Sequence, residues 1–208
     1  MIHLYLLRHG ETEENVAGIL QGQMPGKLTD QGKAQAVALQ KVIARYPNLR
    51  YILSSDLQRA VDTANLINQP FHLPLRTTPL LRERDWGELT GVAIASLRKG
   101  PFPASVETVE EMIDRATTWL DALSREHLGE DLDILVVTHG LFARCILAAA
   151  AQTGIQAVGR LQNCEMREVF LQNDHPFRET LTQAEPPKEK MVANPMTAGD
   201  VLTNGQEN

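Results

Sequence analysis

The sequence predicts a three-layer α/β domain with a mostly parallel central sheet. Short apolar runs rich in branched residues recur at residues 2–7, 51–53 and 133–138. Each is followed by a turn and then by a stretch with helical apolar spacing. Strands that alternate with helices in this way pair in parallel, with helices covering both faces of the sheet. The chain of 208 residues is long enough for one such domain with a sizeable core.

The elements read in order as follows. Residues 2–7 form a buried strand that ends at Arg8-His9-Gly10. Thr29 precedes a helix with Ala36, Leu39 and Ile43 on one face, and Pro47 lies beyond its end. Tyr51-Ile52-Leu53 is a second strand. Ser55-Asp56-Leu57-Gln58 has the pattern of a capping box opening a helix to about Ile67. Residues 73–80 hold Pro74 and Pro79, which suits an edge strand or an extended loop. Thr108-Val109-Glu110-Glu111 is another capping box. Its helix repeats apolar residues at Val109, Ile113, Ala116, Leu120 and Leu123. A strand at 133–138 precedes a helix from about Leu141 that stops at Gly154, and residues 165–172 are a last strand. From about Ala184 the chain has three prolines and no aromatic residue. We read residues 1–183 as a single catalytic domain and 184–208 as a poorly ordered tail.

Composition narrows the function. The net charge is −6 and the pI about 5.5, which argues against nucleic acid or an anionic membrane surface as partner. The longest strongly apolar run, residues 145–151, falls far short of the roughly 20 residues that cross a bilayer. The first residues lack a basic n-region, so they do not read as a signal peptide. Two cysteines, Cys145 and Cys164, make no disulfide framework, and a cytoplasmic location is expected.

Polar groups cluster at strand ends. Arg8, His9 and Gly10 end the first strand, and His139-Gly140 ends the strand at 133–138. Arg59 follows the second strand in the first turn of a helix, where free N–H groups favour the same anion. Glu83 lies in the loop 81–88. Ligands of open α/β folds bind at the carboxyl ends of the strands. Two histidines, two arginines and one carboxylate would there make a cationic pocket inside an acidic chain. Such a set suits phosphoryl transfer through histidine. A neutral imidazole attacks phosphorus, arginines balance the oxygens' charge, and a carboxylic acid protonates the leaving alkoxide. No metal or cofactor is required, because side chains supply the cations. His3, His72, His127 and His175 have no partners at metal-ligand spacing and read as structural or exposed.

The motifs together resemble the histidine phosphatase superfamily, in its phosphoglycerate-mutase-like branch, over roughly residues 2–172. Leu7-Arg8-His9-Gly10-Glu11-Thr12 with Asn15 is similar to its signature. Leu28-Thr29 with Gly32, Gln35 and Ala36 resembles its first helix start. Residues 54–60 with Thr63-Ala64 resemble its second arginine motif. Leu81-Arg82-Glu83 with Gly87, Glu88 and Gly91 resembles its acid loop. Val137-Thr138-His139-Gly140 resembles its second histidine motif, and Asn163-Cys164 its last strand start. The resemblance implies a phosphoglycerate-mutase-like fold with His9 as phosphoryl acceptor and Glu83 as proton donor. It also implies that Arg8, Arg59, His139 and Gly140 surround the phosphate. Asn15 and the backbone near Gln21 and Gly22 would contact the phosphate or the leaving group. The family's Gly-Glu-Ser ahead of its long helix is replaced by Val106-Glu107-Thr108.

The implied activity is hydrolysis of a small-molecule phosphate monoester. A cofactor-dependent phosphoglycerate mutase and a non-catalytic phospho-ligand binder are the alternatives. Glu83 and His139 lie 56 residues apart, too close for the Arg- and Lys-rich insertion of the mutases, which favours hydrolysis. Leu20, Gln21, Gln23, Met24, Trp86 and residues 92–107 are expected to wall the pocket without a strong second cationic cluster. The oligomeric state is open, with a homodimer as one option.

Overall fold

The computed structural model describes residues 1–171. The expected tail over 184–208, His175 and the end of the last strand at Gln172 lie outside the described residues. Within them, five strands form one sheet: β1 (Ile2–Arg8), β2 (Leu49–Ser55), β3 (Leu75–Thr78), β4 (Leu132–Thr138) and β5 (Met166–Leu171). Their order is β3-β2-β4-β1-β5, and only β5 runs antiparallel. The proline-flanked β3 takes an edge, as expected of a strand that cannot donate along its whole length.

Helices cover both faces. On one side α2 (Asp30–Ile43) and α3 (Gln58–Asn68) bury Ala36, Ile43, Ala60, Ala64 and Ile67 against Tyr5, Leu7, Ile52 and Leu135. On the other, α4 (Val109–Glu126) and α5 (Gly140–Ala151) bury Ala116, Leu120, Phe142 and Ile146 against Leu4, Leu6, Ile134 and Val136. Odd and even residues of one strand thus feed two cores, as the pleat requires. A short helix α1 (Glu13–Val16) follows β1.

Capping explains two helix starts. Thr29 Oγ1 accepts the amide of Gly32, and Thr108 with Glu111 forms a reciprocal capping box. The buried face of α4 is wider than the expected stripe, with Met112 and Trp119 also buried while Val109 and Ile113 are only half-buried.

Two expected boundaries are corrected. Ser55 does not cap α3. Leu57 holds the cap position without a side-chain bond, because Ser55 belongs to β2 and its hydroxyl is engaged at the sheet end. Helix α5 stops before Gly154, where Gln152 adopts the left-handed conformation. Its amide bonds the Ala149 carbonyl and closes the turn.

The sheet order decides where a ligand goes. Strands β1 and β4 are neighbours, in register from Ile2 with Leu132 to Arg8 with Thr138. The chain leaves β1 toward the face carrying α2 and leaves β4 toward the face carrying α5. This divergence opens a crevice at the carboxyl ends of the two strands.

Candidate active site

Backbone bonds from distant elements hold the turn after β1. The His9 amide donates to the Thr138 carbonyl at 2.9 Å, and the Gly10 amide to Thr63 Oγ1 at 3.0 Å. Gln35 Oε1 accepts from the Glu11 amide, and Asn163 Nδ2 donates to the His9 carbonyl. Gln35, Thr63 and Asn163, which entered the sequence reading only as motif letters, are struts for Arg8-His9-Gly10.

This turn fixes the protonation of His9. Its Nδ1 lies 2.7 Å from the Gly10 carbonyl oxygen. A carbonyl only accepts, so Nδ1 carries the proton and Nε2 carries the lone pair. Burial, then the charges of Arg59 and Arg8, hold the imidazole well below the usual histidine range, so it is neutral at pH 7. Arg59 Nε donates to that same Nε2 at 3.2 Å.

Arg59 also reaches the loop before α2, donating through Nη2 to Gly22 O at 2.8 Å and through Nη1 to Met24 O. Burial lowers its pKa to about 10, which leaves it a cation at neutral pH. The expected anion site at the start of α3 is not open, since the Arg59 amide is taken by the Pro25 carbonyl. The guanidinium, rather than the helix end, faces the pocket.

Arg8 donates through Nη1 to Leu161 O at 2.8 Å, and its buried Nε has no partner. A Cβ on Gly140 would lie 3.2 Å from that Nε, so the bare backbone lets the guanidinium lie against the start of α5. The carboxylate of Glu83 sits on the same helix end, accepting from the amides of Leu141, Phe142 and Arg84 at 3.2, 3.1 and 3.0 Å. The ring of His139 lies 5.2 Å from that of His9, wholly buried beneath the pocket. Burial and the charges of Arg59, His9 and Arg8 hold it well below the usual range too.

One cavity therefore gathers Arg8, His9, Arg59, Glu83 and Gly140, with Asn15, Gln21, Gly22 and Trp86 on its walls. His139 sits directly behind. Asn15 uses its carbonyl oxygen to accept from the Thr12 amide and from Asn163 Nδ2. Gln21 Oε1 is buried without a partner. Trp86 packs edge-on against Phe102, and the Arg84 guanidinium lies over both rings. Glu107, at the replaced Gly-Glu-Ser, is spent on Arg115 at 3.0 Å. Among residues 92–107 none lines the cavity.

The sequence reading did not place two further arginines at the pocket. Arg144 and Arg160 also line the cavity. Arg144 lies on a helix that is apolar nearly all round, so its sequence setting suggests core rather than site. Only the fold turns it toward the crevice.

The site is thus a neutral imidazole with its lone pair on Nε2, set between two guanidinium groups and a carboxylate. Histidine phosphatase superfamily branch 1 covers residues 4–183. The chain belongs to the histidine phosphatase superfamily. Membership together with its phosphatase-named relatives supports a phosphoric monoester hydrolase. It is 37% identical over 191 residues to a probable phosphoglycerate mutase of Proteus mirabilis, covering 83% of this chain and 86% of that one. It is 31% identical over 186 residues to a metal-independent phosphoserine phosphatase of Arabidopsis thaliana, covering 82% and 76%. Among solved structures, a mycobacterial glucosyl-3-phosphoglycerate phosphatase in complex with VO3 superposes with a TM-score of 0.77. It is 26% identical, over 87% of this chain and 97% of that one. The phosphoglycerate-mutase-like α/β fold read from the sequence is thus the fold observed.

Proposed function

We propose that this histidine phosphatase hydrolyses a small-molecule phosphate monoester through a phosphohistidine on Nε2 of His9. The observation that carries the reading is the bond from Nδ1 of His9 to the Gly10 carbonyl, which commits the lone pair to Nε2. In the free protein that lone pair accepts from Arg59 Nε. A bound phosphoryl oxygen is a stronger, anionic acceptor, so Arg59 exchanges Nε2 for the ester and frees the nucleophile.

In the first step Nε2 forms a bond to phosphorus as the ester P–O bond breaks, and the departing alkoxide takes a proton from Glu83. In the second, Glu83 takes a proton from water as the water oxygen bonds phosphorus and the P–N bond breaks. Arg8 and Arg59 neutralise the oxygens in both steps, with His139 donating from behind. Asn15, Gln21, Gly22, Gly140 and Trp86 hold the ester in place. These roles need no metal or cofactor. The catalytic unit is the domain of residues 1–183, and two unbonded thiols, Cys145 and Cys164, suit a reducing cytoplasm.

The identity to a probable phosphoglycerate mutase keeps mutase activity as the second reading. The 56-residue interval from Glu83 to His139 leaves no room for an added cationic segment and favours hydrolysis. The deciding experiment follows p-nitrophenyl phosphate turnover with chelator present, beside conversion of 3- to 2-phosphoglycerate. Hydrolysis should persist with chelator, and quenched enzyme should carry acid-labile phosphate. His9→Ala should remove both the label and at least about 99.9% of the rate, the scale expected when a covalent route is lost. Isomerisation faster than phosphate release would select the mutase, and no turnover of either substrate would select a binder.

A further inference from the structure

Glu83 acts from a segment with no hydrogen-bond ladder of its own. Residues 82–86 belong to no helix or strand, so their backbone groups find partners elsewhere. Thr138 Oγ1, at the end of β4, donates to the Leu81 carbonyl at 2.8 Å. The carbonyls on either side, of Leu80 and Arg82, both accept from Nη1 of Arg115, each at 2.9 Å. Arg115 lies on α4 and does not line the cavity.

The rest of the guanidinium holds Glu107. Nε and Nη2 of Arg115 donate to the two carboxylate oxygens of Glu107, each at 3.0 Å. Glu107 in turn meets the chain beyond Glu83. Its Oε2 accepts the Asp85 amide at 3.0 Å, its amide donates to the Asp85 carbonyl at 2.9 Å, and its carbonyl accepts Arg84 Nε at 2.6 Å. The pair therefore grips residues 80 and 82 on one side of Glu83 and residues 84 and 85 on the other. Both side chains are mostly shielded, at 18% and 16% exposure, so water competes weakly for these bonds. Arg115 also lies over the Phe142 ring, 3.9 Å from its centroid, and the Phe142 amide is one of those that hold the Glu83 carboxylate. One planar guanidinium thus fixes both the loop that carries the acid and a residue on which the acid rests.

Resting on the phosphatase reading above, we propose that Arg115 and Glu107 are positioning residues for Glu83. They hold its carboxyl within reach of the leaving oxygen and touch neither the ester nor phosphorus. An acid displaced by about 1 Å loses much of its effect on the rate. Loss of the clamp then weakens proton transfer to the leaving group and leaves the phosphate contacts of Arg8 and Arg59 as they are.

The test compares phenyl phosphate with p-nitrophenyl phosphate, which differ in the basicity of the leaving oxygen. Arg115→Gln should lower kcat at least about tenfold on phenyl phosphate but less than about threefold on p-nitrophenyl phosphate, with both KM values within about twofold of native. In a Glu83→Gln background the same substitution should change the phenyl phosphate rate less than about twofold, because no acid is left to displace. Equal slowing of both esters overturns the proposal, and so does an additive loss in the double variant. If Arg115→Gln does not fold, Glu107→Gln, which keeps an oxygen for the Asp85 amide, should show the same dependence on the ester. A native ratio of the two rates in that variant overturns the clamp. If the native protein hydrolyses neither ester, the phosphatase reading fails instead, and amide exchange then decides the clamp. The Leu141 and Phe142 amides stand in the first turn of α5 and have Glu83 as their acceptor. Either variant should speed their exchange at least about tenfold, with native rates kept at Ala148 and Ala149. Unchanged exchange at Leu141 and Phe142 overturns it.

Discussion

Ser55 Oγ lies 2.8 Å from Nε2 of His139, and it also accepts the amide of Leu57 at 3.3 Å. Among the described residues the buried Ser55 hydroxyl has no other acceptor for its proton, so it donates to the imidazole. Nε2 of His139 is then the acceptor, and the proton of the neutral ring is on Nδ1, which is buried with no partner. In the proposed mechanism this unpaired N–H is the donor to a phosphoryl oxygen.

Ser55→Ala should therefore mix the His139 tautomers and lower kcat/KM about tenfold, the worth of one well-placed hydrogen bond near 1.4 kcal/mol. Nitrogen-15 spectra should show the His139 proton on Nδ1 in the native protein and shared between both nitrogens in the variant. Ser55→Thr should restore the native pattern. A native spectrum with the proton on Nε2 would remove the positioning role of Ser55.

Glu83 is fixed on one side of the crevice by three backbone amides, two at the start of α5 and one from its own neighbour Arg84. As proton donor it matters most when the leaving oxygen is basic. Glu83→Gln should slow alkyl phosphate hydrolysis by about a hundredfold or more, but p-nitrophenyl phosphate by less than tenfold. Equal slowing of both esters in initial-rate assays would count against general acid catalysis.

Stability should fall in acid. His9 and His139 are buried, and both have folded-state pKa values well below the ordinary histidine value. Below about pH 6.5 the unfolded chain binds protons that the folded chain refuses. Stability from this source is complete above that pH and is lost as pH drops toward the folded values. The slope approaches about 1.4 kcal/mol per pH unit for each histidine. Urea unfolding between pH 7.5 and 5.5 measures it, and His139→Gln should flatten the curve.

Gly26 has φ of +69°, and a Cβ there would lie 2.9 Å from Arg59 Cδ and 2.7 Å from Gln21 Oε1. Gly26→Ala combines a left-handed strain of roughly 1–2 kcal/mol with displacement of Arg59. The inhibition constant of inorganic phosphate should rise about tenfold, with a lower melting temperature. Native values for both would mean that the loop tolerates the methyl group and that Arg59 does not depend on it.

How much of this was legible in the sequence depended on whether the signal was local. Residues 2–7 and 133–138 are short apolar runs ended by polar turns, so both strands could be read directly. Thr29 and Thr108 cap their helices through neighbours three residues away, and those were legible for the same reason. Ser55 shows the limit. Its local pattern fits a cap equally well, but His139, 84 positions away, engages its hydroxyl at the sheet end instead.

The sequence by itself determined the chemistry at the strand ends: Arg8 and His9 after one strand, His139 after another, and Arg59 and Glu83 nearby. Those residue types already point to phosphoryl transfer. Only the tertiary structure decided which nitrogen of His9 and of His139 carries the proton. Only it decided that Glu83 rests on the amides of Leu141 and Phe142, and that Arg144 and Arg160 share the pocket. The physical reason is that tautomers and pocket charge are set by contacts across the sheet. The β1–β4 pairing and the crossing of the chain from face to face create those contacts, and no run of neighbouring residues encodes them.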